Sequence, residues 1–263
     1  DYLKAFQSYF KATKPDAFRK SKSAGGWHDL GVPGVDAKVG FSPHTAKNGL
    51  LAAVGKDISK AKSNVFFSLA FLGQMKKGPI GPALGRMIKS KKVHTLGVAD
   101  AGVKEGNLGV TVLTPDNKRR VVRSSALTGN VPAPFKTEHS GLSGKSGTHR
   151  GTRMHHKFVV IDFDRADARV YLGSYNFSEV ADQKNGENLV LIKDRTVATS
   201  YMIEAVRIYD HYRFRTVQEN TRKTGKNKKR IELKQPPRKP GEKPWWQAHW
   251  DDPTRKRERE LFA

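Results

Sequence analysis

A histidine and a lysine two residues apart, His155 and Lys157, followed by Asn176 and Glu187, are the residues of this 263-residue chain whose types and spacing could do chemistry. If residues 157–163 form a strand that begins at the pair, both side chains leave the same face, because side chains alternate along a strand. A neutral imidazole, with an ordinary pKa of about 6.5, is a good nucleophile towards phosphorus and needs no metal. It does need a neighbouring acid to fix its tautomer and stabilise the cation, and Glu187 is the candidate. The Lys157 ammonium and the Asn176 amide can donate hydrogen bonds to non-bridging oxygens as charge builds on five-coordinate phosphorus. The Ser174 hydroxyl or backbone can assist them.

Two blander readings compete. His155 and Lys157 could be a surface strand end with a partly exposed histidine, or His149, His155, His156 and Asp164 could bind zinc. The second lacks a His-Glu-x-x-His pairing and any cysteine, so it has no support for the ligand geometry that zinc demands. No metal and no cofactor are expected.

The elements that must position these residues read as α/β. Leu3, Phe6, Tyr9 and Phe10 predict an amphipathic helix over residues 1–14, with no strand in sight for it to pack on. Residues 16–36 read as an irregular connection. A strand over 37–42, a helix over 50–62, a strand over 65–71, a helix over 79–91 and a strand over 93–99 follow. This alternation predicts a mixed, largely parallel sheet flanked by helices on both faces. Residues 109–113 and 119–123 resemble a hairpin, and 124–153 a long loop. A strand over 189–192 and a helix over 195–213 close the domain. That last helix echoes the first, so the opening helix looks like the end of an earlier repeat.

His155-x-Lys157-x4-Asp162, then Gly173-Ser174-Tyr175-Asn176, resembles the HKD motif of the phospholipase D superfamily, with Glu187 of Asn-Gly-Glu-Asn where that family carries an acid. The resemblance implies a phosphodiesterase that works by two displacements. One histidine attacks to give a phosphohistidine; a second protonates the leaving oxygen and then activates water. Only one complete motif is present: His156 should leave the opposite strand face, and neither His94 nor His139 has a lysine two residues on. The resemblance therefore implies a second motif, supplied by a homodimer partner or by a missing N-terminal half, which the unpartnered opening helix favours. Asp162 should face away from Lys157 and serve structure, bonding backbone or a loop near the site, and Gly173 is read as structural too.

The organisation that follows is an opening helix and linker over 1–36, a catalytic domain over 37–217 and a basic extension over 218–263, whose Trp245, Trp246 and Trp250 could anchor it to the body. The net charge of +24 points to a polyanionic partner, nucleic acid first, with phospholipid as the alternative substrate. A third reading is a non-catalytic nucleic-acid-binding half. No apolar run approaches the roughly 20 residues of a membrane-spanning helix, so a soluble protein is expected, in the cytoplasm before outside the cell.

Overall fold

The computed structural model describes residues 1–45, 47, 49–100, 121–123, 154–223 and 235–263, with side chains described through 214 in the long helix that ends at 223. Chain order is α1 (Tyr2–Lys11), α2 (Pro15–Arg19), β1 (His28–Asp29), β2 (Asp36–Phe41), α3 (Leu51–Ser59), β3 (Asn64–Leu69), α4 (Ile80–Lys89), β4 (His94–Ala99), β5 (Val121–Arg123), β6 (Lys157–Ile161), β7 (Arg169–Gly173), α5 (Glu179–Gln183), β8 (Asn188–Lys193) and α6 (Arg195–Lys223). Two short helices, α7 (Gln247–Asp251) and α8 (Pro253–Phe262), follow. The predicted hairpin strand at 109–113 and the loop at 124–153 lie outside the described residues.

The strands form one sheet in the order β1-β2-β8-β7-β6-β3-β4-β5. It is mixed, but the expectation of largely parallel pairing is corrected: among the described ladders only β3–β4 and β4–β5 are parallel, while β1–β2, β2–β8, β3–β6, β6–β7 and β7–β8 are antiparallel. Connection length explains the difference. Helix α4 gives the chain a crossover between β3 and β4, whereas β6 and β7 are joined only by residues 162–168, fewer than the dozen or so a parallel crossover needs.

Helices cover both faces. On one side α3 and α4 bring Leu51, Val54, Ile58, Ile80 and Leu84 onto Val65, Phe67, Val159, Ile161 and Tyr171 of the sheet. On the other, α6 buries Ala198, Met202, Ala205 and Tyr209, and Tyr201 meets Phe158 edge-on with ring centroids 5.3 Å apart. Strand β3 is buried along its whole length, which suits its continuous apolar run.

The opening helix does have a strand to pack on. Ala5 and Tyr9 join Phe18, Ala24, Val39 and Phe41 in one cluster, and the Tyr2 ring meets Phe41 of β2 edge-on at 5.0 Å. The face turned inward is thus Ala5 and Tyr9, while Leu3, Phe6 and Phe10 are 68%, 63% and 83% exposed. Nor are residues 16–36 merely a connector: Phe18 and Ala24 are buried, and Trp27 packs against the core, 6.2 Å from Tyr171.

The chain divides into two compact units, Asp1–Thr216 and Val217–Ala263. In the second, the Asp252 carboxylate accepts from the amides of Thr254 and Arg255 and so caps α8, with Pro253 in its first turn. The Arg259 guanidinium lies 4.1 Å from the centroid of Trp250. None of the three tryptophans is buried.

Candidate active site

Strand register brings the predicted residues to one edge of the sheet. Leu69 pairs with Lys157, Phe158 with Leu172, Gly173 with Leu189 and Phe41 with Asn188. The last residue of β3, the first of β6, the last of β7, the first of β8 and the last of β2 therefore form a row across five strands. What lies just beyond that row is His155, the 174–176 turn, Glu187 and Ser42. Asn176 and Glu187, 19 and 30 positions from Lys157 in sequence, come to the same edge because adjacent strands lie about 4.8 Å apart.

At the head of β6 the Lys157 ammonium donates to Nδ1 of His155 at 3.0 Å and to the His155 carbonyl at 2.9 Å. The i, i+2 spacing lets both contacts form without distorting the strand. Burial pulls the Lys157 amine below its ordinary value, and the Glu187 carboxylate opposes that shift. Phe71, in a left-handed conformation with φ 56°, sets its ring edge-on to His155 at 5.5 Å. His156 takes the other direction: its Nδ1 is 3.0 Å from the Ser68 hydroxyl, and its carbonyl accepts from the Ala70 amide. Burial also pulls the His156 imidazole down.

Across the row, Gly173 has φ 138°, and a Cβ there would come within 2.3 Å of the Asn188 carbonyl oxygen, so a side chain would force β7 and β8 apart. Ser174 Oγ accepts from the Asn188 amide at 3.0 Å and from its Nδ2 at 3.3 Å, tying the turn to β8 and leaving its own O–H available to donate. Tyr175 is fully buried. Asn176 follows it with Oδ1 buried and unpartnered among the described residues, a condition that costs about 1–3 kcal/mol and is tolerated where function requires it.

Glu187 is held by Ser42, which sequence reasoning did not single out. The Ser42 amide donates to the Glu187 carbonyl at 2.9 Å, its hydroxyl donates to the Asn185 carbonyl at 2.9 Å, and its oxygen accepts from the Glu187 amide at 3.2 Å. The Glu187 carboxylate makes no hydrogen bond or ion pair among the described residues. It reaches Lys157 and Tyr9 through its charge, and Nδ1 of His155 is occupied by Lys157 rather than by the candidate acid. Beneath this turn Asp182 Oδ1 accepts from the Tyr175 hydroxyl at 2.6 Å and lies 2.8 Å from Nδ1 of buried His44. A buried histidine after a Ser-Pro step carries no sequence pattern, so nothing in the sequence marked it.

Asp162 lies at the far end of β6, about 16 Å along the strand from Lys157, not near the site. Its carboxylate accepts from the amides of Lys62, Ser63 and Asn64. Asp164 sits at that same far edge, bonded to Ser63 and Asn64, which separates it from His155 and removes it from the zinc alternative. His139 and His149 lie outside the described residues. Among the described residues no group of three or more His, Asp or Glu side chains is placed to hold a metal ion.

Residues 99–208 match the family described as "Cardiolipin synthase, PLD-like domain". The "Phospholipase D" of Rickettsia felis is 42% identical over 48 residues, covering 18% of this chain and 22% of that protein. The "Mitochondrial cardiolipin hydrolase" of Xenopus tropicalis is 37% identical over 87 residues, covering 33% and 38%. This chain thus spans about a fifth of the length of the Rickettsia relatives it matches. Two solved structures have a similar chain path. A phospholipase D family member, Nuc from Salmonella typhimurium, has 19% identity, a TM-score of 0.44, and coverage of 68% of this chain and 95% of its own. NucT from Helicobacter pylori has 18% identity, a TM-score of 0.42, and coverage of 68% and 97%. The family match spans the strands that carry His155, Lys157, Asn176 and Glu187, and over those residues the chain is similar to phospholipase D-like domains. No helix among the described residues is long and apolar enough to cross a membrane.

Proposed function

We propose that this chain is a phosphodiesterase of the nuclease type, cleaving DNA or RNA through a phosphohistidine on His155. The observation that carries the reading is the Lys157 ammonium seated on Nδ1 of His155, with the Glu187 charge beside it. A phosphate entering the edge of the sheet draws Lys157 and the Asn176 amide onto its non-bridging oxygens. Nδ1, released by Lys157, takes up the imidazole proton and presents it to Glu187, which frees the lone pair on Nε2. Nε2 attacks phosphorus; the N–P bond forms as the bond to the leaving oxygen breaks, and that oxygen takes a proton from the imidazole of a second motif. The same imidazole then deprotonates water, which displaces His155 from phosphorus.

The second motif comes, in this reading, from a second copy of the chain. The opening helix packs on β2, so the reason for preferring a missing N-terminal half is gone. The net charge of +24 concentrates a nucleic acid at the site by counterion release.

Phospholipid is the second substrate reading, favoured by the exposed Leu3, Phe6 and Phe10 on one face of α1, which could meet acyl chains. Incubation with plasmid, single-stranded DNA, RNA and phosphatidylcholine vesicles in EDTA separates the two. Nucleic-acid cleavage that falls at least about a thousandfold in His155→Ala is expected. A strict need for added divalent metal, or cleavage that survives loss of His155, would overturn the mechanism; hydrolysis of the lipid alone would overturn the substrate.

A further inference from the structure

Beside Glu187, between the opening helices and the turn that precedes β8, lies a cavity of about 280 Å³ whose lining includes Tyr9, Lys14, Phe18, Pro43, Lys184 and Gly186. Three features mark it as more than a packing gap. Tyr9 Oη is buried with no hydrogen-bond partner among the described residues, a state that buried hydroxyls normally avoid. The Tyr9 ring is held in place, stacked on Phe18 with centroids 3.8 Å apart and set against Gly186, where a Cβ would come within 3.2 Å of it. Lys14 and Lys184 make no ion pair among the described residues, so both charges are free for a ligand. Burial, and secondly the charge of Glu187, push the Tyr9 phenol up, so its hydroxyl stays protonated and can donate.

We propose that this cavity is a nucleotide subsite, which takes the base of a single-stranded nucleic acid next to the scissile phosphate, with Tyr9 Oη bonded to the base edge and Lys14 and Lys184 on the adjoining phosphates. The proposal rests on the phosphodiesterase reading of the neighbouring site. Its volume lies just under the range of ligand pockets, which run from about 300 to 1,000 Å³, and suits one flat ring system rather than a pair of acyl chains. A buried hydroxyl and two ammonium groups recognise a base and its phosphates and would be wasted on hydrocarbon. A base inside a duplex could not enter, so the strand must be single.

The test measures binding in a His155→Ala background, by fluorescence anisotropy with a labelled single-stranded hexanucleotide. Thr13→Trp, which fills the cavity from an exposed position on its lining, and the pair Lys14→Ala/Lys184→Ala should each raise Kd by about tenfold, the order that one stacked base contributes. Lys89→Ala/Lys92→Ala removes equal charge at the opposite edge of the sheet and should change Kd by less than about threefold. A hexanucleotide of abasic residues should bind more weakly and be insensitive to Thr13→Trp. Equal losses from the two lysine pairs, or no loss from Thr13→Trp, overturn the subsite. So does anionic phosphatidylglycerol vesicle binding that Thr13→Trp abolishes while oligonucleotide binding persists. Hydrolysis of bis(p-nitrophenyl) phosphate by the chain with His155 intact tests the chemistry separately: its absence would sink the phosphodiesterase reading, while the binding series still decides the subsite.

Discussion

The Lys157 ammonium sits 3.0 Å from Nδ1 of His155 and donates to it, while a second hydrogen bond runs to the His155 carbonyl at 2.9 Å. A donor on Nδ1 keeps the imidazole proton on Nε2. In the proposed mechanism the resting His155 is therefore held in its inactive tautomer, and a phosphate that competes for Lys157 would release it.

Lys157→Met should shift the His155 tautomer equilibrium away from Nε2–H and, by removing the cation, lower phosphodiester hydrolysis by about 100- to 1,000-fold. Nitrogen-15 spectra of the imidazole read the first effect and initial rates the second. An unchanged tautomer with normal rates would contradict the contact.

Glu187→Gln bears on pH. Burial is the main cause that pulls the Lys157 amine down, and the Glu187 charge holds it up, so removing that charge must lower the Lys157 pKa further. The ammonium is then lost at lower pH, and the alkaline limb of the rate profile moves towards neutrality. A lysine titration followed by NMR in both proteins checks the sign; an upward shift would refute it.

Asp162→Ala separates structure from catalysis. Its carboxylate serves three amides of residues 62–64, and the loss should cost about 3 kcal/mol of stability, seen as a lower urea midpoint. Activity per folded molecule should change by less than about twofold, since the site is at the other edge of the sheet. A normal midpoint with a collapsed rate would reverse the assignment.

A site shared by two copies has a mixing signature. When wild type and His155→Ala are co-refolded in varying ratio, activity should follow the square of the wild-type fraction, because a mixed pair lacks one of the two histidines. A linear dependence would mean that each chain works alone.

Much of this was legible in the sequence because it is local. The buried run of β3 and the i, i+2 relation of His155 and Lys157 both follow from short-range pattern. Sheet direction was not, since alternating helices and strands are visible before residue 99, while the short 162–168 connection that forces antiparallel pairing leads to β7, a strand easily missed between turns. Helix α1 misled for another reason: Leu3, Phe6 and Phe10 dominate its hydrophobic pattern, but Ala5 and Tyr9 are the residues that fit against Phe18 and Phe41. The partner of His155 Nδ1 is a choice between two side chains, Lys157 and Glu187, that only their placement in space decides.

The most direct test of the account is to quench the chain during turnover of a labelled phosphodiester in EDTA, digest it, and map the label by mass spectrometry. A phosphoryl adduct on the peptide that holds His155, absent from His155→Ala, is the predicted result. Turnover at the full rate with no adduct, or an adduct on His156 instead, would contradict it.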